Sequence, residues 1–202
     1  MAHVDYVEGT PLISPVRLNL GCGEQRYIGY IGVDMEGNAA DVKHNLCEPL
    51  PFADGSVDEI YASHVVEHFS LWQIQRILQD WCRVLRVGGT FWGLVPDGVR
   101  VAQEYLKAVR RNDRYKRMVF LANMHGGWTN NEFIGYGEVH HAMYDMEFLK
   151  ETLSRGGFHP VWIEPRTFGP DNHALLFVCR KGVYTPMDVR VHGVYPAHLV
   201  EE

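Results

Sequence analysis

Eleven histidines stand among the 202 residues, and two of them share the short segment His64-Val-Val-Glu67-His68. Imidazole titrates near neutral pH, so histidine suits both proton abstraction and metal ligation. If this segment is helical, His64 and His68 lie one turn apart on a common face. The spelling H-x-x-E-H is also the inverted zinc-protease signature, in which two imidazoles hold zinc and the glutamate acts as base. Such a zinc-dependent hydrolase needs a third ligand downstream, and Glu138 is available for it. His140 and His141 are adjacent, so in an extended stretch they point opposite ways and at most one faces a cleft. His125 lies in Met-His-Gly-Gly-Trp128 on the same stretch. Trp128 and Tyr136 offer rings that could stack on a sugar or aromatic acceptor, or equally pack within their own loop. For each histidine, a satisfied structural or surface role stands beside the chemical one.

A second constellation is Leu18-Asn-Leu-Gly21-Cys22-Gly23 followed by Gly32-Val-Asp34. A Gly-x-Gly turn after a strand lets backbone approach a ligand without side-chain interference. In open α/β sheets ligands bind beyond the carboxyl ends of the strands. A carboxylate ending the next strand can accept the hydroxyl protons of a ribose. The dinucleotide fingerprint wants a third glycine where Arg26 stands, and no G-K-[ST] follows, so a nucleoside without a pyrophosphate fits better. An ordinary structural turn with a surface aspartate is the plain alternative.

These residues need a scaffold. Residues 16–20, 30–34, 40–44, 57–63 and 90–95 read as strands. Between the last two, Leu71, Ile74, Leu78, Trp81 and Leu85 repeat at helical spacing. Ser70 and Gln73 spell a capping box, and Gly88-Gly89 offers a left-handed stop. A second helix is expected after Asp97, with Val101, Ala102, Tyr105, Leu106 and Val109 inward. A third is expected from Asp145, carrying Met146, Leu149 and Leu153 and ending at Gly156-Gly157. Val161–Ile163 and Ala174–Val178 flank a turn-rich stretch and read as a hairpin. Strands alternating with helices argue a mostly parallel sheet. Only about ten residues separate the first two strands, near the lower limit for a parallel crossover, so the first helix must be stunted or replaced by a turn. Residues 112–142 read as an irregular insertion, and 181–202 carry no clear element pattern.

Composition narrows the classes. Apolar residues make up 46% and charged residues 22%, which is ordinary for a globular domain and excludes disorder, collagen and coiled coil. Single-domain size follows from the length. No apolar run reaches the ~18 residues of a membrane span, and no signal-like start is visible, so a cytoplasmic location without membrane attachment is expected. Cys22, Cys47, Cys82 and Cys179 are scattered and should be reduced. With 19 basic and 25 acidic residues the net charge is −6, which argues against a nucleic-acid partner. Six basic side chains crowd residues 107–117 (Lys107, Arg110, Arg111, Arg114, Lys116, Arg117) against Asp113. A solvated helix face explains them, as would a patch for an anionic partner.

The motifs gain meaning together. N-L-G-C-G at 19–23 precedes G-V-D at 32–34. Next comes N-L-x-x-P-L-P-F-x-D-x-S-V-D-x-I-Y-x-S-H-V-x-E-H-F from Asn45 to Phe69, then R-V-L-x-x-G-G from Arg83. This run resembles the class I S-adenosylmethionine-dependent methyltransferases. Within them it is similar to a small group of uncharacterised bacterial members often associated with polysaccharide genes. The likeness runs from Leu18 to Asp97 and more loosely from Tyr144 to Phe158.

The resemblance implies a three-layer Rossmann-like α/β domain spanning residues 1–202. Its seven-stranded sheet would be mostly parallel, with an antiparallel last strand and a shortened first helix. It would have an irregular lead-in at 1–15, an acceptor-side cap at 98–144 and an extension at 181–202. It implies S-adenosyl-L-methionine as cofactor and S-adenosyl-L-homocysteine as product. Gly21 and Gly23 would line the methionine part, with Cys22 beside them. Asp34, next to Met35, would hold the ribose, and Asn45 and Leu46 would border the adenine. Ser63 and His64 would lie near the methyl group. Relatives usually place Asp at the position of Asn45, which implies altered adenine contact. The expected reaction is O-methylation of a sugar, glycan precursor or other small metabolite. His64, His140 and His141 are the candidate catalytic bases, and no resident metal is expected. A homodimer is compatible with the sequence. A catalytically silent cofactor-binding domain is the remaining alternative to transfer chemistry and to the zinc-dependent hydrolase.

Overall fold

The computed structural model describes residues 15–125, 128–129, 132–133, 139–169 and 172–182. The chain runs β1 (Arg17–Leu20), β2 (Ile31–Asp34), β3 (Val42–Lys43), β4 (Val57–Ser63), α1 (Ile74–Val84), β5 (Leu85–Pro96), α2 (Gly98–Arg110), α3 (Arg114–His125), β6 (Trp128–Thr129), β7 (Glu132–Phe133), α4 (Met146–Arg155), β8 (Phe158–Phe168) and β9 (Asn172–Lys181). Seven strands form one sheet in the order β3-β2-β1-β4-β5-β9-β8. Strands β1 to β5 pair in parallel. The last strand, β9, runs antiparallel to both β5 and β8. The expected Rossmann-like sheet is therefore present, antiparallel last strand included. β6 and β7 make a separate two-stranded ribbon.

The parallel strands form because their apolar runs can be buried on both sides. Leu18, Leu20, Val33, Ile60 and Ala62 are all fully buried. The carboxyl ends of β1, β2 and β4 then open onto one edge of the sheet, and Gly21, Asp34 and His64 follow or end them there.

On one face the core joins β1, β4 and β5 to α1 and α4. Ile74, Ile77, Leu78, Trp81 and Val84 of α1 are buried, as are Leu149 and Leu153 of α4. Phe91 sits among Trp81, Phe158 and Phe177, at ring-centroid distances of 5.5, 5.1 and 4.9 Å. Truncating such a residue costs its transfer free energy plus the cavity left behind. Phe91→Ala should therefore lose about 3–5 kcal/mol of unfolding free energy. Urea unfolding checks this, and an unchanged midpoint would contradict it.

On the other face Tyr61, Trp92, Leu94 and Leu176 are covered by Tyr27 and Tyr30. Glu59 serves this apolar surface as an acceptor for Trp92 Nε1 at 2.7 Å and for the Tyr30 hydroxyl. Tyr27 and Tyr30 belong to the connection between β1 and β2, which consists of turns without a helix. The crossover was too short for one, and two aromatic rings take its place on the sheet.

Several local expectations need correction. Helix α1 ends at Val84, because β5 begins at once with Leu85 in extended conformation. Gly88, at φ 77°, lies inside the irregular start of that strand. Leu71 precedes the helix and is exposed. The capping box is half formed: Gln73 Oε1 accepts from the Ser70 N–H at 3.3 Å and from its hydroxyl at 2.6 Å, and Ser70 caps no helical N–H. In α2 only Val101 and Ala108 are buried, whereas Ala102, Leu106 and Val109 are exposed. Residues 114–125, expected as irregular, form α3.

Helices α2 and α4 begin directly after Asp97 and Asp145, as expected, and both aspartates cap them. Asp97 accepts from the Arg100 N–H at 3.0 Å and Asp145 from the Phe148 N–H at 2.8 Å. Leu149 and Leu153 face inward, while Met146 is exposed. The hairpin of β8 and β9 forms with longer strands than expected. Of the basic cluster, Lys107, Arg110, Arg111 and Arg114 are exposed. Lys107 pairs with Glu104, and Arg117 donates to Asn112, as on a solvated helix face. Residues 1–14 and 183–202, most of the lead-in and the C-terminal extension, lie outside the described residues.

Candidate active site

The turn after β1 is built by glycine. Gly21 and Gly23 adopt φ of 66° and 51°, in the left-handed region that suits glycine best. At Gly21 a Cβ would stand 2.5 Å from Val65 Cγ2, so the backbone there is pressed against the segment after β4. At Gly23, among the described residues other than its chain neighbours, no heavy atom lies within 4 Å of where a Cβ would be. The chain thus leaves open space on that side of the turn.

Asp34 organises this rim. Its Oδ2 accepts from the Gly23 N–H at 2.9 Å, and its Oδ1 accepts from the N–H groups of Glu36 and Gly37, both at 3.0 Å. An ionised carboxylate offers about four lone-pair sites. Three are committed to backbone, which leaves about one for a ligand hydroxyl, fewer than the pair of ribose contacts the sequence suggests. Partial burial pushes the Asp34 pKa up, and these backbone donors more than reverse it, so the carboxyl sits below its ordinary value of 3.8. A depressed carboxyl pKa adds stability above the unfolded-state value, and that contribution disappears as pH falls through the folded-state value. The stability gap between the wild type and Asp34→Asn should therefore be full at neutral pH and shrink on acidification below pH 3.8. Thermal unfolding across that range checks it.

The segment after β4 supplies the polar cluster. His64 has φ 54°, and a 3₁₀ turn covers Val66–His68. This geometry separates His64 from His68 instead of stacking them on one helical face. His64 Nδ1 lies 3.1 Å from Glu67 Oε1, and the histidine side chain is 39% exposed while Glu67 is fully buried. Burial pulls the His64 pKa down, and the hydrogen bond and charge of Glu67 outweigh it, so the pKa is raised. His140 arrives from the other side. Its Nδ1 lies 3.0 Å from the Asn123 carbonyl oxygen and its Nε2 3.9 Å from Glu67 Oε1. Burial, the largest influence, holds the His140 pKa below the usual histidine value despite that carboxylate. The N–H groups of His141 and Ala142 donate to the Glu67 carbonyl at 2.8 and 3.1 Å, tying this segment to the 3₁₀ turn. His141 itself is exposed, as is His125. Among the described residues, Glu67, His68 and His140 can place ligand atoms within 4.8 Å of one another, and His64 is outside that group. The zinc set His64-Glu67-His68 is therefore not assembled as the sequence spelled it. Glu138 and Tyr136 lie outside the described residues, and Trp128 is described only as part of β6.

Residues 18–93 match the family model described as a methyltransferase domain. That stretch is 76 of the 202 residues and includes Gly21, Gly23, Asp34 and His64. Similar solved structures agree on the fold. A Methanosarcina mazei SAM-dependent methyltransferase is 16% identical at a TM-score of 0.58, with 85% of this chain and 95% of that one covered. One from Archaeoglobus fulgidus is 17% identical at 0.56, covering 83% and 87%. One from Thermotoga maritima is 16% identical at 0.52, covering 84% and 83%. No curated protein sequence matches the chain. Among the described residues, no helix is long and apolar enough to cross a membrane.

This rim has room for an adenosyl ligand at Gly23, where a Cβ would project into open space, and an acceptor for it at Asp34, where a lone pair remains. The other residues expected there divide. Met35 is 59% exposed at the rim. Leu46 packs partly against the core, and Ser63 is half-buried. Asn45 is exposed, and its Oδ1 accepts from the Cys47 N–H at 3.0 Å, so that acceptor is engaged locally. Cys22 is buried beneath β2, with its thiol pushed up to about 11, chiefly by burial; only its backbone can border a ligand. The residue of this cluster that sequence reasoning undervalued is Glu67. Its signal was a lone carboxylate in an otherwise apolar run, flanked by two histidines.

Proposed function

We propose that this methyltransferase domain methylates an oxygen of a sugar, glycan precursor or other small metabolite, with His64 as the base. The observation that carries this reading is the His64–Glu67 pair beside the glycine turn. Val65, the next residue, is the one pressed against Gly21. S-adenosylmethionine supplies an electrophilic methyl group on a sulfonium. Gly21, the Cys22 backbone and Gly23 would line its methionine part. Asp34 and Met35 would hold the ribose, Leu46 and Asn45 would border the adenine, and Ser63 would lie near the methyl group. A carboxylate only accepts, so Glu67 fixes the proton on His64 Nδ1 and leaves Nε2 to take the acceptor's proton. Most of the remaining barrier is lowered by alignment and exclusion of water. Residues 98–144 would form the acceptor wall, because such caps come from segments beyond the sheet.

The likeness to polysaccharide-associated bacterial members supports a sugar or glycan acceptor. Incubation with isotopically labelled S-adenosylmethionine and a panel of sugars, nucleotide sugars, amines and thiols tests the reading. Label in an acid- and base-stable ether on a hydroxyl compound is the expected result. Label confined to amine or thiol acceptors would overturn it.

A further inference from the structure

Glu67 is a costly residue. It is fully buried, and among the described residues its Oε2 has no hydrogen-bond partner. His68 Nδ1 is likewise buried without a partner among the described residues. An ionised carboxylate removed from water destabilises a fold unless its oxygens are paired or metal-bound. His64 serves only Oε1. The backbone clamp from His141 and Ala142 holds the segment in place and satisfies the peptide carbonyl, not the carboxylate.

The neighbouring imidazole is prepared as a donor of electrons. A carbonyl can only accept, so the contact with Asn123 places the proton on His140 Nδ1. That leaves the Nε2 lone pair 3.9 Å from Glu67 Oε1, the oxygen that also accepts from His64. Two lone-pair atoms at that separation share no hydrogen bond, and a cation between them would satisfy both. A second ring nitrogen bonded to a backbone carbonyl is the usual way a metal-ligating histidine is oriented. His68 adds a third donor, its ring 4.8 Å from that of His140 and nearly perpendicular to it.

From these positions we infer that Glu67, His68 and His140 form a binding site for a divalent transition-metal ion of the zinc class. Two imidazoles and one carboxylate suit zinc, cobalt, nickel, manganese or iron(II), whereas magnesium and calcium favour all-oxygen sets. Ligand bonds of about 2.0–2.2 Å require donors roughly 3.4 Å apart. The trio spans up to 4.8 Å, so binding draws the three side chains inward by some tenths of an ångström each. Three protein ligands leave a further coordination position open, as in catalytic rather than closed structural sites. Glu67 acts here as a ligand, not as the base of the inverted protease signature. The site is a property of this chain whatever acceptor the domain methylates.

The test uses the untagged full chain, dialysed against chelator, and titrates it with zinc or cobalt alone. One ion per chain should bind, with visible cobalt absorption bands of a four- or five-coordinate nitrogen and oxygen site. His140→Ala and His68→Ala should each weaken zinc binding at least about a hundredfold, since even outer-shell changes cost 10–100-fold. S-adenosylhomocysteine affinity, measured on the same variants, should stay within about threefold of the wild type, showing that they fold. Absence of stoichiometric zinc binding would overturn the site. So would zinc binding of unchanged strength in both folded variants, which would place the ion on other histidines.

Discussion

His64→Asn should reduce turnover by about a hundred- to ten-thousandfold, the range associated with losing a general base. Asparagine is the informative replacement because it tolerates left-handed backbone better than most residues, and His64 sits at φ 54°. His64→Ala should lose as much activity and also some stability. In both variants S-adenosylhomocysteine affinity should change little, because the role proposed for the imidazole is to take the acceptor's proton and not to hold the cofactor. Steady-state kinetics and calorimetry separate the two effects. Loss of cofactor affinity with turnover preserved at saturation would make His64 a structural residue instead.

Asp34→Ala should raise the dissociation constant for S-adenosylhomocysteine at least about a hundredfold. Two losses combine. A charge-assisted hydrogen bond to a ribose hydroxyl is worth about 1.5–3 kcal/mol, and each 1.4 kcal/mol is tenfold in affinity. The same carboxylate also pins Gly23, Glu36 and Gly37, so its removal loosens both walls of the niche. Asp34→Asn should fall between, because an amide oxygen can still accept but the charge is gone. Calorimetric titration reads both variants directly. Affinity unchanged in Asp34→Ala would remove the residue from the cofactor site.

The two expectations were legible in the sequence to different degrees. The turn at Gly21 and Gly23 and the end of β2 at Asp34 could be read because glycines between two apolar strands mark a break in the chain, and strand β1 ends where Leu20 predicts. Helices α2 and α4 were announced by Asp97 and Asp145, short acceptors standing where the first N–H groups need a partner. Helix α3 was hidden for a physical reason. Among its residues only Phe120 is buried, so no apolar stripe marks it, and its basic residues blur the period further. It packs mainly against α2, whose own exposed Leu106 and Val109 defeated the inward pattern expected there. The end of α1 was missed because Leu85 suits a helix face and a strand start equally; the parallel pairing of β5 with β4 decided between them.

The polar cluster was legible in type but not in partnership. His64, Glu67 and His68 stand close in sequence and invite a helical reading. The chain instead turns at His64, which leaves His64 on one side of the carboxylate and brings His140 to the other from more than seventy residues away. Long-range packing of that sort leaves no trace in local spacing. Glu67 was the missing link, since its burial becomes visible only once Val65, Val66 and Phe69 are seen to be buried around it.

A crystal structure of the full chain with S-adenosylhomocysteine bound tests the reading most directly. The expected density places a ribose hydroxyl on the Asp34 carboxylate, the homocysteine against Gly21 and Gly23, and the sulfur toward His64. A ligand seated elsewhere on the chain, or an adenosyl group whose ribose is held without Asp34, would contradict it.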